Sequence, residues 1–192
     1  IVVMIDRAVR IGMIGCGTQA NVHFAAIKEL TEQIATVAAV CDLDDERLAA
    51  ACQLWPQARS AKDYHEMLSP GDLDLVIVAT MPNTHEAMSL ASLEAGANVL
   101  CEKPFMMNAT EAQNVLAKAE TAGLRVQLGT NMRYMPSSQY LHRLIEGDSI
   151  GTPVYAKAWG CHDYPPVWAP HYHLATSGGG VLASTLVHTL DL

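Results

Sequence analysis

Residues 9–30 read VRIGMIGCGTQANVHFAAIKEL, and this stretch decides the fold. The segment VRIGMI is largely apolar without strict alternation, the pattern of a strand covered on both faces. Gly15-Cys16-Gly17-Thr18-Gln19-Ala20 follows it directly, and the residues after Ala20 have helical periodicity. Strand, G-x-G-x-x-A turn and helix in that order form the dinucleotide-binding fingerprint in its required context. Gly15 permits the tight turn, and Gly17 lets the backbone approach a pyrophosphate. Ala20 is small enough for helix to pack on strand. Thr18 and Gln19 occupy the first helical turn, whose free N–H groups would face the anion.

Working outward, an acid completes the pattern. Asp42 ends the run TVAAVCD, 25 residues beyond Gly17. A carboxylate there accepts bonds from adenosine-ribose hydroxyls and repels a 2′-phosphate, which favours NAD. Arg47 lies close enough in sequence to keep NADP open. Further apolar runs at 37–41, 73–80, 98–101 and 125–129 alternate with helical stretches. Such alternation predicts a parallel sheet with right-handed crossovers, a Rossmann-type doubly wound α/β unit over roughly residues 8–130. Asn108 and Glu111 have capping-box spacing, and Gly123 and Gly96 stand where helices would stop.

Beyond residue 130 the texture changes: five of the nine prolines and five of the eight histidines lie there. The pattern predicts a helix over 137–146, a strand over 152–160, a Pro/aromatic loop to 177, and a last helix from near Gly180. The expected organisation is a nucleotide-binding domain over 1–130 and the beginning of an α+β substrate domain over 131–192. His162, Asp163, His171 and His173 match no standard metal-site spacing, so no metal is expected. Tyr164, Trp159 and Trp168 suit either stacking on a sugar ring or anchoring a loop.

Composition narrows the class. Twelve basic against twenty acidic residues give a formal charge of −8, against a nucleic-acid or anionic-membrane binder. No window resembles a membrane span, and the opening IVVMID lacks the basic flank of a signal peptide. Five cysteines without a CxxC pair read as reduced thiols of a cytoplasmic protein. Apolar types reach 50% while charged types reach only 17%, which implies surface covered by an interface or by chain outside these residues.

Two further stretches carry a resemblance. Cys101-Glu102-Lys103-Pro104 follows the strand-like ANVL, and Thr80-Met81-Pro82-Asn83-Thr84-His85 precedes it. Together with the run at 94–104 and GGGVL at 178–182, they make the chain resemble the glucose–fructose oxidoreductase / inositol dehydrogenase / MocA (Gfo/Idh/MocA) family, truncated at its C-terminal end. The resemblance implies a nicotinamide-dependent oxidoreductase of sugars, polyols or cyclic diols. It implies a small-molecule substrate and a homo-oligomer formed through the C-terminal sheet of a full-length chain. Lys103 matches the lysine that meets substrate hydroxyl and cofactor ribose. A lysine at the carboxyl end of a sheet strand is also where ligands bind in open α/β folds, and it can lower a bound hydroxyl's pKa.

The resemblance further assigns Thr80, Pro82, Asn83, His85 and Glu102 to cofactor binding, with His85 equally readable as a first-turn surface histidine. It assigns Asn131 and Arg133, and more weakly Tyr134, to the cofactor–substrate cleft. His188 matches the proton-exchanging histidine, a residue type whose ordinary pKa suits the task. Ser184 stands at the substrate side where the family pattern has an aspartate, while Asp191 matches a later acid. Two alternatives stay open: glycoside cleavage with transiently oxidised substrate, and a non-catalytic NAD(H)-binding regulatory or assembly module.

Overall fold

The computed structural model describes residues 7–159 and 173–191. Six strands form one parallel sheet: β1 (Val9–Ile14), β2 (Ala35–Cys41), β3 (Arg59–Ala61), β4 (Leu75–Val78), β5 (Asn98–Cys101) and β6 (Val126–Leu128). Their order is β3-β2-β1-β4-β5-β6, so the winding direction reverses between β1 and β4. That reversal opens the crevice in which doubly wound sheets bind ligands. Register makes the carboxyl edge straight. Ile14 pairs with both Cys41 and Val78, Val78 pairs with Cys101, and Cys101 with Leu128. Every loop that leaves this edge therefore starts from one line.

Five helices cover the two faces: α1 (Thr18–Lys28), α2 (Asp45–Leu54), α3 (Tyr64–Leu68), α4 (His85–Glu94) and α5 (Ala109–Ala122). Successive strand residues point to opposite faces, so the apolar runs feed two cores. Ile11, Met13 and Ile77 pack with Phe24, Ile27 and Val37 on one face. Ile14, Val76, Val78 and Val99 pack with Leu93 and Val115 on the other. The predicted ends of α5 are present: Asn108 Oδ1 accepts from the Glu111 N–H at 3.0 Å, and Gly123 adopts φ +67° to end it. The reciprocal bond differs from the standard box, because Glu111 accepts from the Met107 N–H rather than from that of Asn108.

Three expectations are corrected. A short edge strand, β3, joins the five that the apolar runs indicated. It reads Arg-Ser-Ala and lies at the sheet margin, so it carries no apolar signal. Residues 152–159 form no strand and are exposed, Val154 almost completely, because no strand among the described residues offers them a ladder; Gly160 lies outside the described residues. The last predicted helix is two short ones, α8 (Gly180–Ser184) and α9 (Leu186–Leu190), interrupted at Thr185. Helix α6 (Pro136–Glu146) and the single turn α7 (Leu174–Ser177) precede them. No described helix is long and apolar enough to cross a membrane.

Candidate functional site

The glycine turn rises from the carboxyl end of β1, the middle of the sheet. Gly15 has φ +89°, and a Cβ there would stand 2.6 Å from the carbonyl oxygen of Ala79, so only glycine fits. Gly17 is different. Its φ of −80° and ψ of −161° suit any residue, and a Cβ would meet only Arg47 Nη1, at 3.7 Å. Neither backbone nor packing requires glycine at this position; its missing side chain leaves the space before the helix start open. Helix α1 begins there with no side-chain cap and no acidic residue in its first turn. Its unsatisfied N–H groups and positive dipole end thus remain available to an anion. Thr18 and Gln19 are exposed at that turn, and Ala20 is buried against the sheet.

Asp42 supports this turn from β2. Its Oδ2 accepts from the Cys16 N–H at 2.7 Å and its Oδ1 from the Asp44 N–H at 2.9 Å. A carboxylate has about four lone-pair sites, so two remain for a ribose. The residues present therefore fit a dinucleotide: an open glycine cradle at an uncapped helix and an acid one strand away. Burial pushes the Cys16 thiol, inside this turn, up to about 12, which leaves it protonated and inert.

Beyond β4, the Thr80 and Thr84 hydroxyls bond each other at 2.8 Å, and Thr84 Oγ1 donates to the Met81 carbonyl. This stitches the turn Pro82–Thr84 and leaves Asn83 exposed. His85 departs from the surface reading of its sequence position: it is completely buried. Its Nδ1 lies 2.9 Å from the Pro104 carbonyl and 3.1 Å from that of Phe105, and Nε2 faces Thr80 O at 3.3 Å. Burial pushes its pKa down against these carbonyls. His85 is a clip between the loops after β4 and β5.

After β5, the Lys103–Pro104 peptide is cis. Glu102 follows β5 directly and is buried. Its carboxylate lies beneath the loop, Oε1 2.8 Å from His23 Nε2, while Oε2 accepts from the Lys103 N–H at 3.1 Å. Lys103 itself is partly exposed, and its Nζ donates to the Ser184 carbonyl at 3.0 Å. The break at Thr185 explains that bond. The His188 N–H donates to Thr185 O at 3.2 Å. The Ser184 carbonyl thus turns to lysine. Ser184 meets the site through its backbone; its side chain is buried, with Oγ 3.4 Å from Thr185 Oγ1.

His188 lies in the field of Lys103. Partial burial and then the lysine charge push its pKa down, and its buried Nδ1 has no hydrogen-bond partner among the described residues. Past β6, Asn131 is exposed and Arg133 is clamped by Asp191, through Nε at 2.8 Å and through Nη2. Tyr134 is exposed beside them. Of the histidine-rich loop, His162, Asp163, Tyr164, Trp168 and His171 lie outside the described residues; Trp159 and His173 are exposed.

Sequence reasoning missed two partners, His23 and the Arg133–Asp191 pairing. Each joins residues far apart in the chain, 79 and 58 positions respectively, and neither has a local signature.

Residues 9–130 match the Gfo/Idh/MocA family, described as an oxidoreductase family with an NAD-binding Rossmann fold. The D-apiose dehydrogenase of Paraburkholderia graminis is 30% identical over 94% of this chain and 47% of its own length. Inositol 2-dehydrogenase 2 of Saccharopolyspora erythraea is 34% identical over 95% of this chain and 52% of its own. Among solved structures, the WlbA dehydrogenase from Bordetella pertussis, in complex with NADH and UDP-GlcNAcA, superposes with a TM-score of 0.73 at 27% identity, over 77% of this chain and 42% of that one. The chain spans about half the length of the curated relatives it matches.

Proposed function

The chain belongs to the Gfo/Idh/MocA family of oxidoreductases with an NAD-binding Rossmann fold. From that premise we propose that it transfers a hydride between nicotinamide and a hydroxyl-bearing carbon of a sugar, polyol or cyclic diol. One observation carries the reading. Lys103 and the α8–α9 segment bearing His188 are joined by a lysine–carbonyl bond at the same sheet edge that holds the glycine turn. The names of the relatives, dehydrogenases of apiose and inositol, support the substrate class.

When bound, NAD supplies the hydride acceptor or donor. The start of α1 binds the pyrophosphate, and Asp42 orients the adenosine ribose. Arg47, close to Gly17, keeps NADP as a second occupant. The Lys103 ammonium donates to the reacting oxygen and lowers its pKa. His188, with its pKa pushed down, is neutral at neutral pH and ready to take that oxygen's proton. Arg133, held by Asp191, and Asn131 line the substrate side, the first part of a substrate region over 131–191. These groups supply placement and proton movement.

The test is a panel of sugars, polyols and cyclic diols with NAD or NADP, read by NADH absorbance. Lys103→Ala should lower turnover by about a hundredfold or more while NADH still binds. Turnover unchanged in that variant overturns the assignment. A second reading, nucleotide binding without turnover, is favoured by Ser184 in place of a carboxylate and by a His188 Nδ1 that has no partner among the described residues. Tight NADH binding with no turnover across the panel would select it.

A further inference from the structure

A buried hydrogen-bonded pair beneath Lys103, His23 and Glu102, is unused by this chemistry. His23 sits on α1, four residues after Gln19 and hence one turn from the anion-facing end. Its Nε2 lies 2.8 Å from Glu102 Oε1, and the two side chains are only 18% and 6% exposed. The Glu102 N–H donates to the Val78 carbonyl at 2.9 Å, which pins the residue to β4. Gly129, at the end of β6, makes room: a Cβ there would stand 3.1 Å from Oε1. Burial alone would raise the Glu102 carboxyl, yet the bonds from His23 and the Lys103 N–H hold it below the ordinary range.

Stability alone does not account for such a pair. Removing a carboxylate from water is costly, and apolar replacements of similar volume for a buried polar pair are often as stable or more so. What the pair uniquely does is geometric. It ties the helix that receives the dinucleotide to the peptide that carries Lys103. The contacts run from the first turn of α1 to His23, to Glu102, to the Lys103 N–H, and from Lys103 Nζ to Ser184.

We propose that His23 is a positioning residue: acting through Glu102, it holds the Lys103 peptide in fixed register with α1, so dinucleotide binding and lysine placement depend on one buried bond. This rests on the reading that α1 holds NAD and that Lys103 meets the substrate. His23→Ala removes the donor and leaves a buried carboxylate unpaired. His23→Gln keeps an N–H donor at similar reach. Gly129→Ala disturbs the carboxylate from the opposite side without touching α1.

The Lys103 amide reports the geometry directly. In the ¹⁵N-labelled chain an N–H donated to a carboxylate resonates downfield and exchanges slowly. His23→Ala should move that resonance upfield, and should weaken NADH binding by about tenfold or more, the effect of one charge-assisted bond. His23→Gln should restore both readouts, and Gly129→Ala should displace the same amide resonance. A Lys103 amide unmoved in His23→Ala, with only the melting temperature lowered, overturns the proposal. If His23→Ala does not fold, an unmoved amide in Gly129→Ala overturns it instead. Failure of NADH to bind the unaltered chain would overturn the proposed function separately, while the amide shift still decides whether His23 positions Lys103.

Discussion

The sheet and the segment after it use apolar residues in opposite ways. In the sheet unit, alternate side chains of each strand enter one of two cores, and Phe24, Met13, Ile14 and Val76 are all but inaccessible. Among the described residues after 130, the only buried ones are Ser138, Ser177 and Ser184. Tyr140, Leu141, Ile145, Tyr155 and Leu190 stand exposed there, although α6 has the periodicity of an amphipathic helix. Apolar content is similar in kind; what differs is whether a second layer faces it. The sheet supplies its own partners, whereas α6 and the exposed residues after it have no second apolar layer among the described residues. This difference accounts for a chain that is half apolar and lightly charged.

The widest test of that contrast pairs one substitution from each region. Phe24→Ala removes a ring that is 1% exposed and packs 6.2 Å from Trp55. It should cost about 3–5 kcal/mol in urea unfolding. Leu141→Ser, at a half-exposed position on α6, should stay within about 0.5 kcal/mol. Equal costs would break the comparison, because they would show Leu141 to be covered in solution.

Two histidines, one from each region, sharpen it further. His85 and His188 both have depressed pKa values, His85 by complete burial and His188 by partial burial beside Lys103. For His85 the folded state binds a proton less readily than the unfolded chain. Its contribution is therefore complete above the ordinary value of about 6.5 and is lost as pH falls below it toward the depressed value. Stability should rise with pH in that window, by at most about 1.4 kcal/mol per pH unit for one proton. Thermal melts at acidic and neutral pH read the slope. His85→Asn, which keeps a donor toward the Pro104 carbonyl, should flatten it; an unchanged slope would assign it to other groups.

What could be read from sequence follows the same divide. β1 and β5 were legible to the residue because they are central strands covered by helices, and a largely apolar run is what such covering demands. The glycine turn, Asp42 and Lys103 were legible because each is a local consequence of strand end and turn. β3 was not, since an exposed edge of three residues has no apolar requirement to meet. Residues 152–159 include strand-favouring Val154, Tyr155 and Trp159, but such residues cannot supply the neighbour that a ladder needs. The burial of His85 and the His23–Glu102 bond depend on loops from different strands converging, which no window of sequence contains.

The smallest expected effect concerns the point where the two regions meet. Lys103 comes from the sheet, Ser184 and His188 from the later segment, and the lysine reaches only a carbonyl there. Ser184→Asp would add a carboxylate four residues before His188, on the side of the break that faces Lys103. Asp at a buried position is disfavoured by desolvation, but a lysine ammonium within reach offsets that cost. An added negative charge favours the imidazolium, so it opposes the two influences that now depress His188. The His188 ring should titrate about one pH unit higher, as followed by NMR, with little change in unfolding free energy. A titration that does not move would mean that the Ser184 side chain points away from the imidazole. Lys103 and His188 would then act without any link through that position, and the junction would consist of the lysine–carbonyl bond alone.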